Sequence, residues 1–273
     1  MATRASSVVF EKARPLGIGR LTACAPSISH PEGMLIGSSR GLFHVADPEA
    51  KPRRIRRHPV GFLLAGESGA VCYEERGGHG RLAILDGNLD EVRVDAELAR
   101  SINPRAYWKN GLIILHQGSL AYLDLQTEER RTLAEFVPTR SLSPFARVEG
   151  GFDFIAIHRG PHWPTYLHRL VLPDGPAGDS EVLGLAKAED PVFARHFIPL
   201  PGGDYLVIPQ GRPVFEIYKV FPGEVSGLRI WSLTPVAGET HPVGALLIGN
   251  RLHAACNDSI LVFRLAEELL EPK

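Results

Sequence analysis

The sequence is poor in several features that define large protein classes, beginning with cysteine. Only three cysteines occur among 273 residues, at Cys24, Cys72 and Cys256, and none belongs to a C-x-x-C pair. Such a sparse, odd set argues against a disulfide framework or a zinc knuckle. It is typical of buried free thiols in a reducing compartment.

Long apolar runs and an excess of one charge are also lacking. No run reaches the ~18 apolar residues that cross a bilayer, and the first ten residues carry no apolar stretch of the signal-peptide kind. The 30 basic and 31 acidic residues leave a net charge of −1, so no long-range field favours nucleic acid or an anionic membrane. We therefore expect a cytoplasmic protein without nucleic-acid or membrane partners.

Motifs for several common reactions are missing as well. There is no G-x-S-x-G elbow, no P-loop, no G-x-G-x-x-G following a strand and no H-E-x-x-H. These absences argue against hydride transfer and nucleotide hydrolysis.

What the sequence does contain is a repeat of short apolar segments that follow polar or glycine-rich turns. Their starts lie 40, 38, 46, 48 and 46 residues apart. A period of about 40–50 residues built of short strands is typical of a β-propeller. The 28 glycines and 22 prolines fit a fold with many turns. The six segments are Leu42–Asp47, Leu82–Asp86, Leu120–Asp124, Tyr166–Val171, Val214–Tyr218 and Ile260–Leu265.

Each repeat divides into four strands, from an inner strand at the axis to an outer strand at the rim. Five outer strands are evident, and the last repeat stops at Leu265 without one. The segment Val8–Ala13 has the apolar character of the missing strand. We expect it to pair with Ile260–Leu265, because closing the ring with one chain end removes the last open edge.

On these repeats the chain resembles the β-propeller proteins as a class, and six-bladed members in particular. The resemblance covers nearly the whole chain but rests on periodicity, since the Trp-Asp pair of WD repeats is absent. No counterpart is evident of the metal-binding set of gluconolactonase-like propellers. The resemblance implies an all-β fold: a single six-bladed β-propeller domain over residues 1–273, closed by strand 8–13, with a short C-terminal tail at 266–273. Five or seven blades are the alternatives.

Histidines concentrate on one face of the predicted propeller. Loops between second and third strands, and loops between blades, lie around one mouth of the channel. Imidazole is the usual ligand of zinc, iron and copper, and the usual acid–base group near neutral pH. A scatter of surface loop residues is the alternative. We interpret His58, His196 and His241 as ligands of one divalent or transition metal, and His116, His158 and His162 as catalytic acid–base groups.

Arginines and aromatic residues share this face. Arg105 and Arg195 are candidate anchors for an anionic ligand through bidentate hydrogen bonds. Tyr107 and Trp163 are candidate walls of a substrate pocket, with packing between blades as the alternative. Two functions therefore stay open. The protein is an enzyme or binding protein for a small polar or anionic molecule, acting by hydrolysis, elimination or isomerisation, or it docks a partner protein on the same face.

Overall fold

The chain folds into a ring of six antiparallel sheets, which confirms the predicted six-bladed β-propeller. The computed structural model describes residues 8–135, 139–159, 162–173, 179–188, 193–210, 212, 214–221, 224–232 and 242–271. Each sheet is one blade, and its strands run outward from the axis in chain order, except that the outermost strand of the sixth blade is the first strand of the chain.

The strands of the first three blades follow the closing strand, β1 (Val8–Pro15). They are β2 (Leu21–Pro26), β3 (Met34–Ser38), β4 (Gly41–Val45) and β5 (Arg53–Arg56); β6 (Val60–Ala65), β7 (Gly69–Arg76), β8 (His79–Asp86) and β9 (Glu91–Asp95); and, after helix α1 (Ala96–Ser101), β10 (Pro104–Trp108), β11 (Gly111–His116), β12 (Ser119–Asp124) and β13 (Arg130–Glu135).

The last three blades have the same plan. They comprise β14 (Thr139–Leu142), β15 (Ala146–Val148), β16 (Gly151–His158), β17 (Thr165–Val171) and β18 (Glu181–Ala188); β19 (Ala194–Pro199), β20 (Tyr205–Pro209), β21 (Val214–Phe221) and β22 (Glu224–Ser232); and β23 (Pro242–Ile248), β24 (Arg251–Cys256) and β25 (Ser259–Leu265).

The hydrophobic core is divided into six layers, each between two neighbouring blades. Every residue of β3 and β4 is buried, whereas β5 at the rim is largely exposed. This gradient explains the sequence pattern, because the middle strands pack on both faces and therefore need continuous apolar runs. One layer joins the last blade to the first through Ile260 and Met34, so the core runs around the ring without a break.

The ring is closed by β1, which pairs antiparallel with β25 from Val8 opposite Leu265 to Arg14 opposite Ile260. The predicted pairing is confirmed. Val8 is buried in the layer between the fifth and sixth blades. After β25, a short 3-10 helix at Glu267–Leu269 places Leu269 in the same layer.

All six inner strands carry a β-bulge at the same place. In each, the register with the second strand shifts across one residue near the start of the strand, which lies on the loop side entered from the preceding blade. Such bulges increase twist and re-aim side chains. The extra residues are Thr22, Gly61, Arg105, Arg140, Arg195 and Val243.

Two buried carboxylates tie strands and blades together. Asp153 is fully buried and accepts hydrogen bonds from Arg169 on the neighbouring strand and from Tyr205 on the next blade. Glu74 is also fully buried and is paired with Arg56 and Arg81. Burying a charge is tolerated when it is paired and hydrogen-bonded in this way, so these groups belong to the framework.

Two local features differ from the sequence expectation. The fourth blade was expected to have one continuous inner strand, but this strand begins as β14, is interrupted where Ser143 bonds to Ile155, and continues as β15. Helix α1 was not predicted. None of the helices in the described parts of the chain is long and apolar enough to span a bilayer.

Candidate functional site

Three of the six bulge positions are arginines in the sequence. Arg105, Arg140 and Arg195 occupy the bulge position in three successive blades, the third, fourth and fifth. The bulge positions of the other three blades hold the uncharged residues Thr22, Gly61 and Val243. Among the described side chains, those of Arg105 and Arg195 therefore lie near the start of an inner strand.

A cavity of about 360 Å³ opens beside Arg105, between the second and third blades. Its volume lies within the range of small-molecule sites. Asn103, Arg105 and Tyr73 are the polar residues in its lining. The apolar walls include Phe62, Leu64, Tyr73 and Leu82 of the second blade, with Ile102 and Pro144 facing them.

The Arg105 guanidinium is held at the edge of this cavity with part of its hydrogen-bonding capacity unused. Its Nη1 donates to the carbonyl oxygen of Leu142, on the fourth blade, at 3.3 Å. Its Nε is buried and has no hydrogen-bond partner among the described residues. Burial lowers the pKa of Arg105 below its ordinary value, yet an arginine keeps its charge in proteins.

Such an arrangement is costly unless an acceptor completes it. A buried donor left without a partner costs about 1–3 kcal/mol, and more when it is charged. No aspartate or glutamate of the described chain forms an ion pair with Arg105. The Arg105 charge therefore has no counter-ion among the described residues, and hydrogen bonds between two charged groups are the strongest that a guanidinium makes.

Helix α1 closes one side of the cavity, and its local sequence explains why it forms there. Asp95 caps the helix by accepting a hydrogen bond of 2.7 Å from the backbone nitrogen of Leu98. Leu98 is buried against the layer between the second and third blades, and Ala99 and Ile102 pack beside it. β10 begins at Pro104, shortly after the helix ends, so Arg105 occupies the bulge near the start of this strand.

The opposite wall depends on a glycine. Gly80, at the start of β8, lies against the ring of Tyr73 so closely that a Cβ at position 80 would overlap the phenol oxygen. Gly61 touches the same ring, but its Cβ would lie 3.7 Å from Cδ1, an ordinary van der Waals distance. The Tyr73 ring can occupy this position only because residue 80 has no side chain.

The four residues predicted to bind substrate are placed very differently. Arg105 lines the cavity, and Arg195 is exposed at the mouth two blades away. Tyr107 is buried, and its ring covers Gly66 and Gly69 in the turn at the opposite end of the second blade. Tyr107 therefore packs between blades, as its alternative interpretation held.

Trp163 lies in the turn between β16 and β17 and is 38% exposed. Both it and the preceding His162 have positive φ angles, 55° and 63°. Non-glycine residues adopt this region at a cost, so the turn holds both side chains in a defined position on the mouth side of the fourth blade.

The structure does not show the three predicted metal ligands, His58, His196 and His241, meeting at one site. His58 is half-buried ahead of β6, and His196 donates from Nε2 to the carbonyl oxygen of Ala245, on the sixth blade, at 2.8 Å. Burial lowers the pKa of His196 to about 4. His241 lies outside the described residues. No group of three histidine, cysteine or carboxylate side chains in the described ranges could hold a metal ion, so the metal site stays a prediction.

Of the three predicted catalytic histidines, His158 has a defined partner. Its Nε2 lies 3.0 Å from Nε2 of His168, and its ring contacts Tyr166. Burial, with a smaller effect of His158, lowers the pKa of His168 to about 4, and burial lowers that of His158. Both shifts favour the uncharged imidazole, and one ring donates the hydrogen bond to the other according to its tautomer.

His116 and His162 lie elsewhere on the mouth side. His116 is the last residue of β11 and lies opposite Ser119 in the hairpin. It shares a strand face with Leu112 and Ile114, which pack against the second blade. His162 is exposed. Their catalytic role stays a prediction.

The cavity walls were missed from sequence because they are ordinary strand residues. Phe62, Tyr73 and Leu82 belong to three different strands of one blade, and their juxtaposition depends on blade packing. One signal was available: Asp95, followed by Glu97 in the first turn and Leu98, is a helix-start pattern.

Comparison with known proteins identifies a fold and no family. No protein-family model matches the chain, and no curated protein matches it in sequence. Among solved structures, the PQQ-bound aldose sugar dehydrogenase from Streptomyces coelicolor is 12% identical, with a TM-score of 0.59, and 95% of this chain and 98% of that chain are covered.

Two further structures have a similar likeness. A chain of the Mitotic Checkpoint Complex is 10% identical with a TM-score of 0.61, covering 94% of both chains. The β-propeller domain of Cps50 (Swd1) from Myceliophteria thermophila is 12% identical with a TM-score of 0.50, covering 90% of this chain and 84% of that one. Identities this low show the fold alone, so the chain is a six-bladed β-propeller whose function has to be argued from its own site.

Proposed function

We propose that this propeller binds a small organic anion in the cavity beside Arg105 at the channel mouth. The observation that carries the proposal is the Arg105 guanidinium, which lines a mostly apolar cavity and forms no ion pair with a carboxylate of the described chain. An anionic ligand neutralises this charge, and its remaining atoms occupy the apolar space.

The surroundings of the cavity support an anion over a cation. Arg195 occupies the same bulge position two blades away and is exposed, and positive charge around a mouth raises the local concentration of anions and speeds their entry. No aspartate or glutamate of the described chain lines the cavity. A cation would therefore meet the positive charge of Arg105 without a carboxylate to balance it.

The walls also favour binding over catalysis. Within the described residues, no histidine, carboxylate, cysteine or lysine lines the cavity. General acid–base or nucleophilic catalysis needs such a group within hydrogen-bonding reach of the reacting atom. Of the solved structures with this fold, the sugar dehydrogenase carries PQQ, which supports a propeller of this kind as a holder of small molecules.

Isothermal titration calorimetry tests the proposal with three probe anions, phenylacetate, phenylphosphonate and phenylmethanesulfonate. We expect at least one to bind, and Arg105→Gln to weaken that binding by about tenfold or more, the equivalent of one charged hydrogen bond. The matched control is Arg147→Gln, which removes the same charge at the other end of an inner strand, where Arg147 is half-exposed and paired with Glu67. Failure of all three probes at millimolar concentration, or equal losses in both variants, would overturn the proposal.

A further inference from the structure

We propose that the outer edge of the first blade binds an acidic, extended segment of a partner protein, which adds to the sheet beside β5. The surface is the segment Lys51–His58, which contains β5 and is called the basic rim below. It belongs to the first blade, whereas the cavity beside Arg105 lies between the second and third. The proposal is therefore independent of anion binding in that cavity.

β5 has one free edge. It is the last strand of its sheet and is bonded to β4 on one side, and no other described strand pairs with it. Such an edge presents unpaired N–H and C=O groups, to which an extended chain can bind by adding a strand. β5 is only four residues long, so the backbone bonds are few and side chains have to supply the rest of the binding.

The charge of the basic rim has a single sign. It contains five cationic residues and no carboxylate, whereas each of the other five outer strands includes at least one carboxylate. Mixed charges are enough to keep an edge strand soluble, so solubility alone does not account for the excess. A surface of one sign complements a partner of the opposite sign. The five cationic residues are Lys51, Arg53, Arg54, Arg56 and Arg57.

Three of these arginines are available to a partner. Arg56 is already used, because it is paired with the buried Glu74 and with Glu91 of the second blade. Arg53, Arg54 and Arg57 are exposed, and none of them forms an ion pair with a described residue. Carboxylates of an incoming chain can therefore pair with them without breaking a contact of the framework.

The surroundings favour a short acidic peptide over a nucleic acid. The positive region is bounded by Glu49, which is exposed and paired with Lys12, and on the side of the second blade by Glu91. A long polyanion would meet these carboxylates. The basic rim also contains no phenylalanine, tyrosine or tryptophan on which a base could stack. Only a peptide matches both the charge and the free backbone edge.

Fluorescence anisotropy tests the proposal on the unaltered protein. The probe is a fluorescein-labelled peptide of twelve residues in which glutamate and threonine alternate. We expect it to bind about tenfold or more tightly than a lysine–threonine peptide, which has the wrong charge. It should also bind about tenfold or more tightly than the same glutamate–threonine peptide methylated at alternate amide nitrogens, which keeps its charge but cannot add as a strand.

Two double variants locate the site. Arg53→Gln/Arg54→Gln removes two exposed charges and should weaken binding of the glutamate–threonine peptide by about threefold or more. The matched control is Arg130→Gln/Arg131→Gln, which removes the first two residues of β13, the outer strand of the third blade. Glu128 and Glu129 precede that strand, so the control should change binding by less than about twofold.

The possible results separate the proposal from its rivals. If the glutamate–threonine peptide does not bind at millimolar concentration, or both double variants lose affinity equally, the basic rim is not the site and the proposal fails. If the methylated peptide binds equally well, or a single-stranded oligonucleotide of the same charge binds more tightly, the surface recognises charge without strand addition and the proposal also fails. Neither result bears on the cavity beside Arg105.

Discussion

The hydroxyl of Tyr205 donates a hydrogen bond of 2.6 Å to Oδ2 of Asp153, which joins the fifth blade to the fourth. The same oxygen accepts from Nη2 of Arg169 at 2.9 Å, and Arg169 Nε donates to Oδ1 at 2.6 Å. Asp153 is fully buried, so its charge depends on these donors. The contact between blades is therefore polar as well as hydrophobic.

Replacing Tyr205 by phenylalanine should lower the free energy of unfolding by about 1–3 kcal/mol. The substitution keeps the stacking of the ring on Phe197 at 4.5 Å and removes one donor to a buried carboxylate. Urea denaturation measures the change. Glu67→Gln is the control, because its ion pair with Arg147 is exposed and should contribute no more than about 0.5 kcal/mol. Equal effects of the two substitutions would contradict the prediction.

Acidification should destabilise the fold through two histidines. The folded-state pKa of His168 and of His196 is lowered to about 4, in each case mainly by burial, from an ordinary 6.5. The unfolded chain therefore takes up protons first. The stability from these groups is fully present above pH 6.5, falls as the pH drops toward 4 and is constant below it, by up to about 3 kcal/mol for each residue.

Urea denaturation between pH 7.5 and 4.5 tests this pH dependence. His196→Gln should flatten the decline, whereas His79→Gln, in an exposed turn, should leave it as in the parent. A decline that is unchanged in His196→Gln would show that this imidazole is not a source of the pH dependence.

Gly80→Ala should disturb the cavity, and Gly61→Ala should not. A methyl group at position 80 overlaps the Tyr73 hydroxyl, while one at position 61 lies 3.7 Å from the same ring. We expect Gly80→Ala to cost about 1–3 kcal/mol of stability through overpacking and to weaken phenylacetate binding, because Tyr73 must move. Gly61→Ala should resemble the parent in both measurements. Tighter or unchanged binding by Gly80→Ala would remove Tyr73 from the wall of the site.

The three thiols should be inert in the native protein. Cys24, Cys72 and Cys256 are all buried and free, and burial raises the pKa of each to about 12. Since the thiolate is the reactive form, a thiol reagent such as DTNB at pH 8 should label none of them in the native protein and all three in guanidinium chloride. Rapid labelling before unfolding would mean that one thiol is accessible.

The fold could be predicted because its determinants are local. Each middle strand is a short apolar run bounded by turn residues, and these signals repeat along the chain, as in Leu120–Asp124 and Ile260–Leu265. Strand order and closure then follow from the need to pair every edge but the rim. The split inner strand around Ser143 was not predictable, because it is stabilised by a bond to Ile155 on a neighbouring strand.

The site was only partly predictable. Arg105 was predicted to bind substrate at the mouth and lines the cavity there, while its binding role stays a prediction. Tyr107, two residues later, was placed on the same face. A strand rises about 3.3 Å per residue, so two residues carry the chain well away from the mouth, and Tyr107 instead packs at the turn containing Gly66 and Gly69. Strand boundaries estimated from sequence are too coarse to separate such neighbours. The cavity itself arises where blades meet, which no single segment encodes.

The closure of the ring has a consequence for biosynthesis. β1 is translated before all the other strands of the ring and its partner β25 after them, since Val8 lies opposite Leu265. At roughly 5–20 residues per second the delay is about 10–50 seconds. During that interval β1, which contains Phe10, is an unpaired strand on the nascent chain and can bind chaperones or neighbouring nascent chains. A circular permutant that begins between two blades would be released from this wait, and its yield relative to the parent would report how much the delay costs the cell.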